Sequence, residues 1–293
     1  MRVIQYTPWI DCATGCRFCT NRGQPDIDKV QSLIQILNLL DLPEVDDYDG
    51  IGLIGGEFFQ NQLNDACVCD LFYSLADKLI EKDKAVYWLA TCLIYQPQRL
   101  FDFLSYLAPI QSRLLLCTSY DVYERFKNDN ARFKWEDNVR LLHQLFPNVR
   151  LHTEMIVTEA LMQQALDGRM NFEEFMRRFN TSLDFIEPHT GFQDIEQFKK
   201  ELPYFLPKRS TFLRFLSEVV AKWDSERIHK FLNPTIRSAT IYHIQNGKLV
   251  KIEDRYNKRM ENQAIGIKPV VGYVDSEKSM IDDLLEWKEL HGC

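Results

Sequence analysis

The chain has 293 residues, with 42 acidic against 35 basic side chains for a net charge of −7, and 45% hydrophobic residues. That length buries a substantial core, as one large domain or one and a half, and the composition is that of an ordinary globular protein. The acidic balance argues against indiscriminate nucleic-acid binding, and no apolar run approaches the roughly 20 residues of a membrane span.

The N-terminus lacks a basic-then-apolar signal segment, so a cytoplasmic location is expected. Eight Cys suit that compartment as reduced, metal-binding or catalytic thiols. Residues Arg2 to Tyr6 read as a short strand. It leads into Cys12-Ala13-Thr14-Gly15-Cys16-Arg17-Phe18-Cys19, three thiols spaced C-x3-C-x2-C on a loop leaving a strand. Thiolates so close together can turn toward one centre. The spacing admits three readings: unrelated buried thiols, a structural zinc site completed by a distant His or Cys, or a [4Fe–4S] cluster. A closed site needs four ligands and this loop supplies three, so a cluster here would keep one iron open.

Further along, Asp28 is placed to cap a helix carrying Val30, Leu33, Ile34, Leu37 and Leu40 at helical spacing, stopped by Asp41-Leu42-Pro43. Gly50 to Ile54 is a continuous apolar strand, the pattern of a parallel sheet covered by helices. It runs into Gly55-Gly56-Glu57. The alternation continues with a helix at Leu71 to Ile80, a strand at Ala85 to Thr91, a helix at Leu100 to Leu107 and a strand at Arg113 to Thr118 ending in Ser119-Tyr120-Asp121. Helical spacing resumes at Trp135. Two more strands follow, Val149 to Val157 and Leu183 to Glu187, the last leading into Pro188-His189. Six alternations predict an α/β fold, a partial (β/α)6 barrel. Glu187 and His189, at a strand end, are candidate substrate contacts. Cys67, Cys69, Cys92 and Cys117 lie in apolar segments and are expected to be small buried hydrophobes.

The three-Cys loop, with Phe18 before its last Cys, resembles the cluster loop of the radical S-adenosylmethionine (SAM) enzymes. The resemblance covers about residues 1–200. It implies that Cys12, Cys16 and Cys19 hold a [4Fe–4S] cluster whose open iron chelates the amino and carboxylate groups of SAM. One electron then splits SAM to give a 5′-deoxyadenosyl radical that abstracts hydrogen from a substrate. It also implies that Gly55, Gly56 and Glu57 meet the SAM amino group, although Phe58 stands where the family often has Pro. Ser119 and Asp121 would reach the ribose or carboxylate, and Phe18 would flank the adenine. A reductant protein such as flavodoxin or ferredoxin is an implied partner.

Beyond residue 200 the character changes. Leu202-Pro203 and Leu206-Pro207 mark a linker, Ser210 to Phe231 reads as one long helix, and Ala239 to Asp254 alternates around Asn246-Gly247 as a hairpin. Ser276 to Leu290 reads as a terminal helix. Residues 201–293 are therefore expected to be an α+β extension capping a 1–200 core barrel. Between Lys208 and Arg259 stand 12 basic and 5 acidic residues. That excess suits a solvated face or an anionic substrate. The Ser-Tyr-Asp and Trp135-x-x-Asn138-Val139 stretches resemble peptide-modifying radical SAM enzymes, which makes a peptide or protein side chain the first substrate reading. A nucleotide, nucleobase or tRNA substrate, a glycyl-radical activase, and an iron–sulfur sensor or scaffold are the alternatives.

Overall fold

A computed structural model describes residues 3–7, 11–12, 14–19, 28–60, 66–121, 125–188, 199–231, 240–245, 248–252, 273–276 and 278–292. Its first six strands are β1 (Val3–Thr7), β2 (Gly50–Leu53), β3 (Val86–Ala90), β4 (Leu114–Ser119), β5 (Arg150–Ile156) and β6 (Thr181–Ile186). All pair in parallel with their sequence neighbours. Between them run α1 (Lys29–Leu40), α2 (Ala66–Lys82), α3 (Gln98–Tyr106), α4 (Asp129–Leu145), α5 (Glu159–Leu166) and α6 (Phe172–Phe179). The chain is thus α/β, a six-stranded parallel sheet wound as a partial (β/α)6 barrel. The helices α5 and α6 have no counterpart in the sequence reading. Each is only 8 residues long, yet in α6 Phe172, Phe175, Met176 and Phe179 stand at helical spacing behind the capping Asn171, so that signal was present in the sequence and was missed.

Local chemistry explains the boundaries. Asp28 caps α1 as expected, accepting from Gln31 N–H at 2.9 Å. Strand β2 is buried along its length. Gly50 is required there because an added Cβ would stand 2.4 Å from Val86 Cγ1. The sheet has two unlike faces. One carries Ile4, Tyr6, Ile51, Leu53, Tyr87, Leu89, Leu116, Leu151 and Met155, all in the helix-covered core. Residues of the other face stand side by side in register: Gln5, Gly52 and Trp88, then Ala90, Cys117, His152 and Ser182, then Ser119, Glu154 and Asp184. The period-2 alternation of strands sorts the polar groups onto this second face.

The part beyond residue 200 departs from expectation in two respects. The single helix read over Ser210 to Phe231 is broken into α7 (Arg209–Glu218), a 3-10 turn (Val220–Lys222) and α8 (Ser225–Lys230). Asp224 starts α8 by accepting from Arg227 N–H at 2.8 Å. The break folds Trp223 and Phe231 back onto Phe185, with ring centroids 5.2 and 5.0 Å away. Aromatic burial outweighs the continuous helix. The second departure is the hairpin. Strands β7 (Thr240–Gln245) and β8 (Lys248–Ile252) are antiparallel, and β7 pairs in parallel with β1, so the sheet runs β6-β5-β4-β3-β2-β1-β7-β8. It extends the core sheet. The Asn246-Gly247 turn itself lies outside the described residues. Helix α9 (Met280–His291) closes the chain, capped by Ser279 and tied to α7 through Asp283. No helix among the described residues is long and apolar enough to cross a membrane.

Candidate metal and cofactor site

The segments that follow β1, β2, β3 and β4 all lie at the carboxyl ends of adjacent parallel strands, and they are bonded to one another. The Cys loop after β1 is shaped by two turns, Gly15 N–H to Cys12 carbonyl at 3.3 Å and Cys19 N–H to Cys16 carbonyl at 3.1 Å. The Gly-Gly-Glu turn after β2 meets it directly: Glu57 N–H donates to the Asp11 carbonyl at 2.7 Å. Thr91 and Cys92, after β3, hold the Glu57 side chain. From the turn after β4, Lys127 Nζ lies 3.5 Å from the Gly15 carbonyl.

Within the loop, the Thr14 hydroxyl stands 2.9 Å from Cys12 Sγ and 3.6 Å from Cys16 Sγ. The Cys12 thiol is held down to about 5, chiefly by a hydrogen bond from the Cys92 thiol, with burial opposing and Thr14 and the Arg125 charge assisting. Cys16 is pushed up by burial, while Cys19 is half-buried. Arg125 is the cation that interacts with the thiols. Burial works against its charge, but Cys16, Cys92, Cys12 and Asp121 keep its proton in place. Its buried Nε has no hydrogen-bond partner. This half-buried guanidinium offsets the negative charge that several thiolates bring together.

Glu57 was expected to face a ligand ammonium. Its side chain is instead 1% exposed. Oε1 accepts from Phe59 N–H at 2.9 Å, Oε2 from Cys92 N–H at 2.6 Å, and the Thr91 hydroxyl lies 3.2 Å from both. Burial pushes its carboxyl up. The carboxylate therefore anchors the turn. Gly55, at φ +146, is the exposed part, in a conformation L side chains avoid.

Phe18, expected beside an adenine, stacks on Phe205 at 5.0 Å and is packed in a small apolar cluster with Cys16, Ile156, Leu202 and Leu206. In the sequence, Leu202-Pro203 and Leu206-Pro207 read as a linker, which hides Phe205 as its partner. Ser119 is partly exposed on the polar sheet face. Asp121 is buried and accepts from Arg125 N–H at 3.2 Å, which fixes the turn carrying that arginine. Glu187 is 5% exposed at the end of β6; His189 lies outside the described residues. On the polar face, His152 is clamped between Ser182 Oγ at 2.7 Å and Asp184 Oδ2 at 3.2 Å.

Sequence reasoning missed Arg125, Cys92, Thr14 and Thr91 as parts of this site. Their only signal was position, just past a strand's carboxyl end. Conversely, the Trp135-x-x-Asn138-Val139 stretch has structural duties. Trp135 is fully buried and donates to Thr118 Oγ1 at 3.0 Å, and Asn138 donates to the Leu93 and Tyr95 carbonyls at 2.9 and 2.8 Å.

Among the described residues, no three His, Cys, Asp or Glu side chains are gathered closely enough to hold a metal ion in the arrangement shown. The donor chemistry nevertheless fits a thiolate-ligated centre: three Cys on one short loop, one of them with a thiol held low, beside the half-buried cation Arg125.

No family model matches the chain, and no curated protein matches it in sequence. Among solved structures it is similar to Streptococcus suis SuiB bound to precursor peptide SuiA, with a TM-score of 0.51 and 10% sequence identity. The match covers 96% of this chain and 64% of that one, so the chain spans less than two thirds of SuiB's length. At that identity the likeness is one of fold.

Proposed function

We propose that this chain is a radical SAM enzyme acting on a peptide or protein side chain. The observation that carries the reading is the direct bonding of the Cys loop to the Gly-Gly-Glu turn at the carboxyl ends of β1 and β2. In α/β folds that edge is where ligands bind. Likeness of fold to SuiB, solved with a precursor peptide, supports the peptide reading.

Cys12, Cys16 and Cys19 would hold a [4Fe–4S] cluster, which when loaded supplies the electron that splits SAM into methionine and a 5′-deoxyadenosyl radical. The chain's own residues bind and orient. Arg125 offsets thiolate charge. The backbone of exposed Gly55 and half-buried Gly56 receives the amino-acid end of SAM, with Glu57 holding the turn. Ser119 offers a hydroxyl on the polar face to the ribose or carboxylate, Asp121 fixes the Arg125 turn, and the Phe18–Phe205 stack shields the loop from water. Glu154 and Asp184 place carboxylates on the polar sheet face, Asp184 being partly offset by His152, which favours a substrate bearing a positive group. A flavodoxin or ferredoxin is the reductant, the setting is cytoplasmic, and the extension beyond residue 200 closes the barrel over the substrate.

Anaerobic reconstitution tests this reading. The protein should take up about four iron and four sulfide per chain, and the reduced protein should cleave SAM. Replacing Cys12, Cys16 and Cys19 together with Ala should abolish both. Stoichiometric zinc with no iron would overturn the reading.

A further inference from the structure

Residues 201–207 form a strap between the Cys loop and the starts of α5 and α7. Pro203 and Pro207 stiffen it, and a turn from Phe205 N–H to the Leu202 carbonyl at 3.1 Å shapes it. The first N–H groups of a helix have no partner within the helix. At the start of α5, Glu159 N–H donates to the Phe205 carbonyl at 3.4 Å and Ala160 N–H to the Tyr204 carbonyl at 3.0 Å. The Glu159 carboxylate in turn accepts from Lys208 N–H and the Thr211 hydroxyl, both at 2.8 Å. Backbone groups of the strap are thus tied to α5, and Glu159 ties α5 to α7. The Cys loop meets the strap through its own side chains instead. Phe18 stacks on Phe205 at 5.0 Å, and Arg17 donates to the Glu201 carbonyl at 3.1 Å. Cys16 is buried in the small apolar cluster built there, and half of the buried members of that cluster, Leu202, Phe205 and Leu206, belong to the strap. Cys12 and Cys19, on the same loop, are half-buried.

We propose that the Phe18–Phe205 stack is a latch that controls access to Cys16. Closed, it keeps the Cys16 thiol from water. Open, it uncovers that thiol while the strap stays on α5. Opening parts side-chain contacts and leaves the backbone bonds of the strap in place, so it is a local event and needs no unfolding of the barrel. Cys16 is the one buried thiol of the three on the loop, so opening the latch is the step that lets a metal reach the full set. That consequence rests on the radical SAM reading; the latch itself rests on the packing alone.

The test is alkylation of the anaerobic, reduced apoprotein with iodoacetamide, each Cys followed by mass spectrometry, alongside the rate of iron uptake on reconstitution. In the wild type Cys16 should react about tenfold more slowly than Cys19, or slower still. Below the unfolding transition its rate should rise little with urea, because opening the latch exposes little surface. Cys117, buried in β4, should instead follow the slope of global unfolding. Phe205→Ala should speed Cys16 by about tenfold or more, since it removes an aromatic pair and its buried area, and should leave Cys69 on α2 unchanged. Phe205→Leu, which keeps apolar bulk, should lie between. Iron uptake by Phe205→Ala should quicken with the alkylation. A wild-type Cys16 that reacts as fast as Cys19, or whose rate tracks Cys117 in urea, overturns the latch even if the variants fail to fold. An unchanged Cys16 rate in folded Phe205→Ala overturns it equally, and faster alkylation without faster iron uptake overturns its part in loading. A wild type that takes up no iron while Cys16 stays protected strikes the radical SAM reading, and the loading role with it, but not the latch.

Discussion

Replacing Glu57 with Gln separates an anchoring carboxylate from a ligand-binding one. The carboxylate serves two backbone donors on different oxygens, Phe59 N–H at 2.9 Å and Cys92 N–H at 2.6 Å, with the Thr91 hydroxyl between them. A Gln amide has one oxygen. Whichever way it turns, one of the two N–H groups faces an NH2 and is left buried and unpaired. The Thr91 hydroxyl escapes this conflict, because it already lies 2.5 Å from the Tyr95 hydroxyl. A hydrogen bond to a charged group contributes about 1.5–3 kcal/mol, and an unsatisfied buried donor costs about 1–3 kcal/mol. These overlap, and burial, by raising the Glu57 carboxyl, trims the charged part. The expected loss is about 2–4 kcal/mol, within the about 5–15 kcal/mol of a typical domain, so the variant should still fold. Urea unfolding of the anaerobic, reduced apoprotein measures it as a lower midpoint at unchanged slope. SAM affinity should fall along with it, since the Gly55-Gly56 turn loses its anchor. A Glu57→Gln variant with wild-type stability and weak SAM binding would refute this reasoning, because the carboxylate would then be turned outward in the working protein.

Asn138→Ala should leave the Leu93 and Tyr95 carbonyls without their donor and cost about 2–3 kcal/mol, seen as a drop of several degrees in thermal unfolding. It should loosen the loop that carries Cys92. For Asp283, burial alone would raise the carboxyl, but bonds from Arg209, Lys278 and Tyr273 outweigh it and hold the group down to about 2. The folded value lies below the unfolded value of about 3.9, so this stabilisation is complete above about pH 5 and is lost as pH falls toward 2. The difference in unfolding midpoint between wild type and Asp283→Asn should therefore shrink from pH 6 to pH 3; a constant difference would contradict it. Deleting residues 240–252 should expose the β1 edge, to which β7 pairs. The shortened protein should be less stable and more prone to aggregate, as light scattering would show. A stable monomer would mean that the hairpin is dispensable to the sheet.

Much of the fold was legible in the chain because β2, β3 and β4 read as short, largely apolar runs, while β5 and β6 alternate between core and polar positions. The Cys loop and the Gly-Gly-Glu turn were legible because their chemistry is carried by residue type at close spacing. Helix α5 is short and apolar on more than one side, which blurs its period, whereas α6 carries a legible one in Phe172, Phe175, Met176 and Phe179. The break before α8 depended on Phe185, Trp223 and Phe231, which come together only when the sheet is formed. The same limit applied to the site. A sequence shows Cys92 as one thiol in an apolar stretch, and Arg125 as one cation on a loop. What makes them partners of Cys12 is that β3 and β4 lie beside β2 and β1, so that residues separated by 80 and 113 positions in the chain end at one edge of one sheet. Glu57 likewise has the right identity for a ligand contact, and only the donors gathered around it by Phe59, Thr91 and Cys92 decide that its carboxylate is an anchor. Residue type determines which chemistry is available; desolvation and the positions of neighbouring donors, which are tertiary properties, decide what each group does.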